Sequence, residues 1–193
     1  MAKQRASKKQ SSGSIRIIAG IHRGRKLPVL DAQGLRPTTD RVKETVFNWL
    51  MPYTRDSKCL DCFAGAGSLG FEALSRGAAQ VTMFELEKTA ATQLKNNAKL
   101  LSATNVSVQQ GDALTLLGKT PEAMDLIFID PPFRKGLAEQ AINLVNNGWL
   151  QPEGLVYVEV ESELTLDNLP HDWRLLKEKV AGQVAYRLYQ KSA

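Results

Sequence analysis

Residues Cys59 to Gly70, which read Cys-Leu-Asp-Cys-Phe-Ala-Gly-Ala-Gly-Ser-Leu-Gly, constrain this chain more than any other stretch. A short apolar run closes on an acid, Asp61, and Gly65, Gly67 and Gly70 follow at G-x-G-x-x-G spacing. That order predicts a buried strand, a tight turn and the first turn of a helix. Glycines let the backbone bend sharply and let a ligand come close, while the helix offers unpaired N–H groups. The spacing alone also fits a nucleotide-dependent oxidoreductase. Asp61 argues for a different ligand, because a carboxylate beside the turn repels a pyrophosphate and attracts a cation. A sulfonium nucleoside with an amino-acid tail, S-adenosylmethionine, suits that charge better than NAD.

Downstream the pattern repeats. Strands are predicted at Lys58–Phe63, Gln80–Glu85, Val106–Gln109, Met124–Asp130 and Gly154–Glu159, with helices at Ser68–Arg76, about Lys88–Leu101 and about Leu137–Asn147. Alternation at this spacing gives an α/β fold: a mostly parallel sheet with helices on both faces. Two helix-free strands, 173–178 and 183–189, form an antiparallel hairpin on one edge. Upstream, two short strands at 15–20 and 26–30 enclose the turn His22-Arg23-Gly24-Arg25. A helix follows Pro37, where a threonine can cap it, with Val42, Val46, Trp49 and Leu50 on one face. Arg41, Lys43 and Glu44 fall off that stripe, toward solvent. The boundaries predicted are a disordered basic tail at 1–13, a hairpin-and-helix extension at 14–55, and the main domain at 56–193, the last two forming one compact unit.

Charge is unevenly placed. The chain of 193 residues has a formal net charge of +5, yet residues 1–30 hold eight Lys and Arg and no acid. The rest therefore carries −3. A basic arm on a mildly acidic body points to a polyanionic partner, nucleic acid first. Arg16, Arg23, Arg25 and Lys26 of the hairpin, with Arg36 ahead of the helix, are the candidate phosphate contacts. No apolar run approaches the roughly 20 residues of a membrane span, and the polar start does not resemble a signal peptide, so a cytoplasmic protein without a membrane partner is expected. Cys59 and Cys62 form a C-x-x-C, a spacing open to redox chemistry or half a metal site. The chain has no second ligand pair and only two histidines, and residues three apart in a strand face opposite ways. Two small buried residues and no metal are the better account.

In a sheet of this kind ligands bind beyond the carboxyl ends of the strands. Asp61 and the glycine turn end the first strand and Glu85 ends the second, where a carboxylate can accept hydrogen bonds from both ribose hydroxyls. The third leads into Gly111-Asp112-Ala113, where an acid can take an adenine amine. Glu85 and Asp112 also suit plain helix N-caps. The fourth strand ends in Asp130-Pro131-Pro132-Phe133. An exocyclic amine on a base is a poor nucleophile because its lone pair is delocalised into the ring. The Asp130 side-chain oxygen and the Pro131 carbonyl can accept both its N–H bonds and free that lone pair, while Phe133 stacks on the base. The residues alone leave guanine and adenine open.

The Asp61-x-Phe63-Ala64-Gly65-x-Gly67 turn with Asp130-Pro-Pro-Phe133 resembles the Rossmann-like class I S-adenosylmethionine methyltransferases that act on exocyclic amines. The segment Arg36-Pro-Thr-x-x-Arg41-Val-Lys-Glu-x-x-Phe47-Asn48, the basic hairpin and the length narrow the resemblance to the bacterial 16S ribosomal RNA guanine-N2 methyltransferases, the RsmD family, from about residue 15 onward. It implies methylation of one guanine within an assembled or nearly assembled small subunit, by a monomer. It implies that Asp61, Phe63, Ala64, Gly65 and Gly67 hold the methionine end of the cofactor, Glu85 the ribose, and Asp112 with Ala113 the adenine, with Leu86 also in the cofactor site. Thr38 and Arg41 close the pocket, and Asp130, Pro131 and Phe133 are catalytic. A DNA adenine or cytosine amine methyltransferase and a non-catalytic RNA-binding assembly factor are the other readings. The former usually needs a recognition domain that this length leaves little room for; the latter has no use for an intact Asp-Pro-Pro-Phe.

Overall fold

The computed structural model describes residues 13–30 and 39–193; residues 1–12 of the expected tail, and Arg36 and Thr38, lie outside them. The first described element is a hairpin, β1 (Gly13–Arg16) and β2 (Lys26–Val29), so Gly13 belongs to a strand and not to the tail. Helix α1 (Asp40–Thr54) follows, capped by Thr39, whose hydroxyl accepts the Val42 N–H at 3.3 Å. Next come β3 (Lys58–Asp61), α2 (Ser68–Ser75), β4 (Gln80–Glu85), α3 (Lys88–Leu100), β5 (Val106–Gln110), α4 (Ala113–Leu117), β6 (Met124–Ile129), α5 (Leu137–Asn146), β7 (Leu150–Glu161), β8 (Trp173–Ala181) and β9 (Val184–Lys191). Strands β3 to β9 make one sheet in the order β5-β4-β3-β6-β7-β9-β8. Only β9 runs against its neighbours, and β8 and β9 form the expected edge hairpin. No helix among the described residues is long and apolar enough to cross a membrane.

Two apolar layers hold the sheet, as the period of two demands. Cys59, Met83, Leu126, Phe128 and Tyr157 face the layer built with α1, α2 and α3, which includes Phe47, Leu50, Phe71 and Leu94. Their sequence neighbours Leu60, Phe84, Ile127 and Val158 face the layer closed by α4 and α5. Cys59 and Cys62 are both reduced and divide between the two layers. Burial pushes the Cys59 thiol up to about 12 and the Cys62 thiol well above its usual range, which leaves both unreactive.

The hairpin is strapped to this body through one fully buried acid. Glu72 of α2 accepts the Ile18 and Ala19 N–H groups on its two oxygens at 2.9 and 3.0 Å. It also pairs with Arg76 at 2.8 Å and with Lys43 of α1 at 3.6 Å, while Lys43 Nζ donates to the Arg16 carbonyl at 2.5 Å. Lys43 is therefore buried, not solvated as its helical position suggested, and its pKa is lowered chiefly by that burial against the pull of Glu72. The same acid explains why the first strand does not run on to residue 20: the Ile17 N–H still bonds to the Arg25 carbonyl at 2.9 Å, but the Ile18 and Ala19 amides turn to Glu72 instead of a strand. Gly20, at φ +85°, then lies so close to α2 that a Cβ would sit 1.8 Å from the Ser75 carbonyl oxygen. Sequence reasoning also missed α4 and the early start of β7.

Candidate active site

Strand order reverses at β3, which lies between β4 and β6. Helices connecting β3 to β4 and β6 to β7 pack on opposite faces, so a crevice opens beyond the carboxyl ends of β3 and β6. Asp61 closes β3 within it, almost fully buried. Its Oδ2 accepts the Gly70 N–H of α2 at 3.2 Å, but Oδ1 has no hydrogen-bond partner. Burial pushes this carboxyl up to about 7, against the pull of the Gly70 and Phe63 amides, and the Glu85 charge adds to the rise. Gly70 sits tight there, since a Cβ would meet Met83 Cε at 2.4 Å and Asp61 Oδ2 at 3.3 Å. Gly67 takes φ +81° to cap α2, and a Cβ would strike Leu94 and Phe71 at 2.6 and 2.7 Å.

Glu85 ends β4 and is tied to both sides of the turn. Its Oε2 accepts the Gly65 N–H and its Oε1 the Glu87 N–H, each at 2.8 Å. Burial raises its pKa, and the Glu87 and Gly65 amides partly offset that. Each oxygen keeps a second lone pair for a further donor. Leu86 is exposed beside it, Ala64 is buried, and Phe63 is half-buried against the α4–α5 layer. Asp112 is the N-cap of α4, its Oδ1 accepting the Thr115 N–H and hydroxyl at 2.8 Å each, and Ala113 begins the helix. The cap reading of Asp112 thus holds, on one of its two oxygens.

Asp130 follows the last residue of β6. Because Ile129 pairs with Val158, Asp130 comes opposite Glu159 of β7, on the same face as Asp61. Burial, then the Glu159 and Asp61 charges, raise its pKa well above the carboxylate range. Pro131 is buried, Pro132 exposed and Phe133 half-buried. Three residues absent from the sequence reading complete this corner. Tyr157 donates its hydroxyl to Glu159 Oε2 at 2.8 Å, and Glu161 at the end of β7 accepts the Arg134 N–H. Alternating apolar and acidic residues in Tyr157-Val158-Glu159-Val160-Glu161 were the available signal. Arg41 is exposed on α1 near Tyr186. Among the described residues no three His, Cys, Asp or Glu side chains gather around a metal position.

The turn of the hairpin is elsewhere. Arg16, Arg23, Arg25 and Lys26 are exposed, but Arg25 Nη2 donates to the Leu100 carbonyl and the turn packs on Ser75, at the C-terminal ends of α3 and α2. Those ends lie at the opposite edge of the sheet from the crevice, about 18 Å away along α3 at its usual rise.

Such a sheet, with its reversed last strand and acid-lined glycine turn, defines the class I methyltransferase fold. A solved structure of precorrin-6y C5,15-methyltransferase from Geobacter metallireducens shares that fold at a TM-score of 0.64 and 20% identity, over 86% of this chain and 93% of its own. A much closer relation comes from the family described as "Conserved hypothetical protein 95", which matches residues 15–190. The chain belongs to this family, the RsmD family of methyltransferases. It is 55% identical to ribosomal RNA small subunit methyltransferase D of Escherichia coli K12, across 94% of this chain and 92% of the relative. The enzyme of that name from Haemophilus influenzae is 56% identical, across 93% and 95%. The solved structure of yhhF from Escherichia coli superposes with a TM-score of 0.88 at 52% identity, covering 94% of this chain and 99% of that one.

Proposed function

We propose that this chain is a cytoplasmic, monomeric enzyme that methylates the exocyclic N2 amine of a guanine in 16S ribosomal RNA, in the assembled or nearly assembled small subunit, using S-adenosylmethionine. The observation that carries the chemistry is Asp130-Pro131-Pro132-Phe133 at the carboxyl end of β6, beside a buried Asp61 with one unanswered oxygen. The close relatives named for small-subunit RNA methylation support the substrate class. Guanine and its N2 rest on the family resemblance.

The residues present fit the cofactor. An orphaned carboxylate oxygen beside the Gly65–Gly67 turn suits an ammonium, Glu85 has lone pairs for ribose hydroxyls, and Asp112 keeps a second oxygen for an adenine amine. When bound, the cofactor supplies a methyl group made electrophilic by its sulfonium. The protein prepares the amine. Asp130 and the Pro131 carbonyl accept its two N–H bonds, pull the nitrogen toward tetrahedral geometry and aim its lone pair. Proline at 131 has no N–H of its own to compete. As nitrogen gains the methyl it must lose a proton, and Asp130, its pKa raised by burial and by Glu159, is the acceptor in place. Phe133 is available to stack on the base.

Labelled-methyl transfer to small subunits isolated without this modification, to naked 16S RNA and to duplex DNA, with mapping of the product, tests the reading. Label on N2 of one guanine in small subunits is the expected result. Label on DNA would establish the DNA enzyme, and binding without transfer the assembly factor.

A further inference from the structure

The crevice poses an electrostatic problem for an RNA enzyme. Asp61, Glu85, Asp112, Asp130, Glu159 and Glu161 all lie at the carboxyl ends of the strands or just beyond. Those of them that are ionised attract a cationic cofactor and repel the phosphates flanking any base that enters. Arg25 of the hairpin cannot offset this locally, because it is held at the far end of α3.

Two exposed cations stand where they can. Arg134 and Lys135 directly follow Phe133, at the mouth of the crevice. The loop that carries them is fixed in a particular way. Arg134 takes φ 60°, a left-handed conformation uncommon for a residue with a side chain. Glu161, buried at the end of β7, accepts its backbone N–H and so pins that conformation. The Arg134 guanidinium is left outside, 79% exposed, with Glu163 at 3.8 Å as its ion-pair partner. An exposed pair of that length contributes little and yields readily to a better anion. A phosphate is one, since a guanidinium fork matches two of its oxygens.

We propose that Arg134 and Lys135 bind the two RNA phosphates that flank the target nucleotide, with Glu161 as the positioning residue that aims them. The proposal rests on the reading of this chain as an RNA methyltransferase and adds to it the group that holds the strand at the point of reaction. Glu161 acts through the loop backbone and touches no substrate.

The test is steady-state methylation of small subunits at several salt concentrations. In the double variant Arg134→Gln/Lys135→Gln, KM for the small subunit should rise about tenfold or more. The slope of log KM against log salt should flatten by about 1.4, the loss of two single-strand phosphate contacts. Cofactor affinity, read by calorimetry as a folding control, should stay at the wild-type value. Glu161→Gln keeps an acceptor for the Arg134 N–H and should behave as wild type, whereas Glu161→Ala should raise KM. A Glu161→Ala protein with lower melting temperature but unchanged KM would reduce Glu161 to a structural role and overturn its part. If the double variant keeps the wild-type slope while charge reversal at Arg23 and Arg25 changes it, the loop cations do not touch RNA and the proposal fails alone. If neither changes the slope, the RNA reading fails with it.

Discussion

A carboxyl group buried with one oxygen unanswered is unfavourable for the protein that keeps it, and Asp61 is such a group. Its pKa near 7 stands well above the ordinary 3.8. Between those values the folded chain holds a proton that the unfolded chain has lost, so the cofactor-free protein loses stability as pH rises through that window. A ligand ammonium at Oδ1 favours the charged form and reverses the preference. Cofactor affinity should therefore increase as pH rises from 6 to 8, with a proton released at the lower end; titration calorimetry in two buffers of different ionisation enthalpy measures it. Asp61→Asn should bind weakly and without pH dependence, and a normal pH profile in that variant would separate Asp61 from the ammonium. In the proposed mechanism Asp130 acts in the catalytic step alone. Asp130→Ala should keep cofactor affinity while single-turnover transfer falls ~10²-fold or more, the usual loss for one positioned polar group. Asp130→Asn should be milder, since an amide oxygen still accepts an N–H. Near-normal transfer by the alanine variant would reduce the Asp-Pro-Pro-Phe loop to a rigid turn.

At the scale of elements, Glu72 joins α1, α2 and the strap that follows β1. Its removal strands two backbone N–H groups and leaves Lys43 a buried cation without its acid. Glu72→Ala should cost about 3–5 kcal/mol in denaturant unfolding, the range for breaking a buried pair. Lys43→Met placed on top should recover part of the loss by removing the unpaired charge. A double variant no more stable than the single would show that Lys43 is not the source of the cost. This network also marks where the sequence stopped being legible. The strand–helix rhythm exposed the parallel sheet, and the turn at Gly65–Gly70 exposed its ligand end, because both are local patterns with a fixed period. Lys43 and Glu72 are 29 positions apart, and each is a charged residue whose type suggests exposure. Only their meeting makes burial tolerable, and no window along the chain contains both. Glu161 escaped for the same reason: its partner is an amide in a loop 27 residues earlier.

Over the whole molecule, the two basic regions lie at opposite ends of the sheet. The sequence showed the first as a run of cations but neither the second nor their separation, which is set by the length of α3. An RNA that reaches the hairpin and the crevice together must span some 18 Å. Charge reversal at Arg23 and Arg25 should therefore weaken binding of the small subunit and flatten its salt dependence. Methylation of a target oligonucleotide too short to span the gap should be unaffected by the same change. Equal loss on both substrates would place the hairpin closer to the reaction than the fold does.

The strap has a consequence for how the protein is made. A nascent chain emits residues 16–22 first, and their receptor, the segment from Glu72 to Arg76, more than fifty residues later. Until that segment has emerged and coiled, the Ile18 and Ala19 amides have only water to bond, and the hairpin has no surface to lie on. Closing so long a loop is slower than forming a local turn. The basic hairpin is thus translated early but mounted late, and it takes its working orientation only once the glycine turn and its helix exist. A ribosome stalled between the two would hold a chain whose cations are present but unplaced.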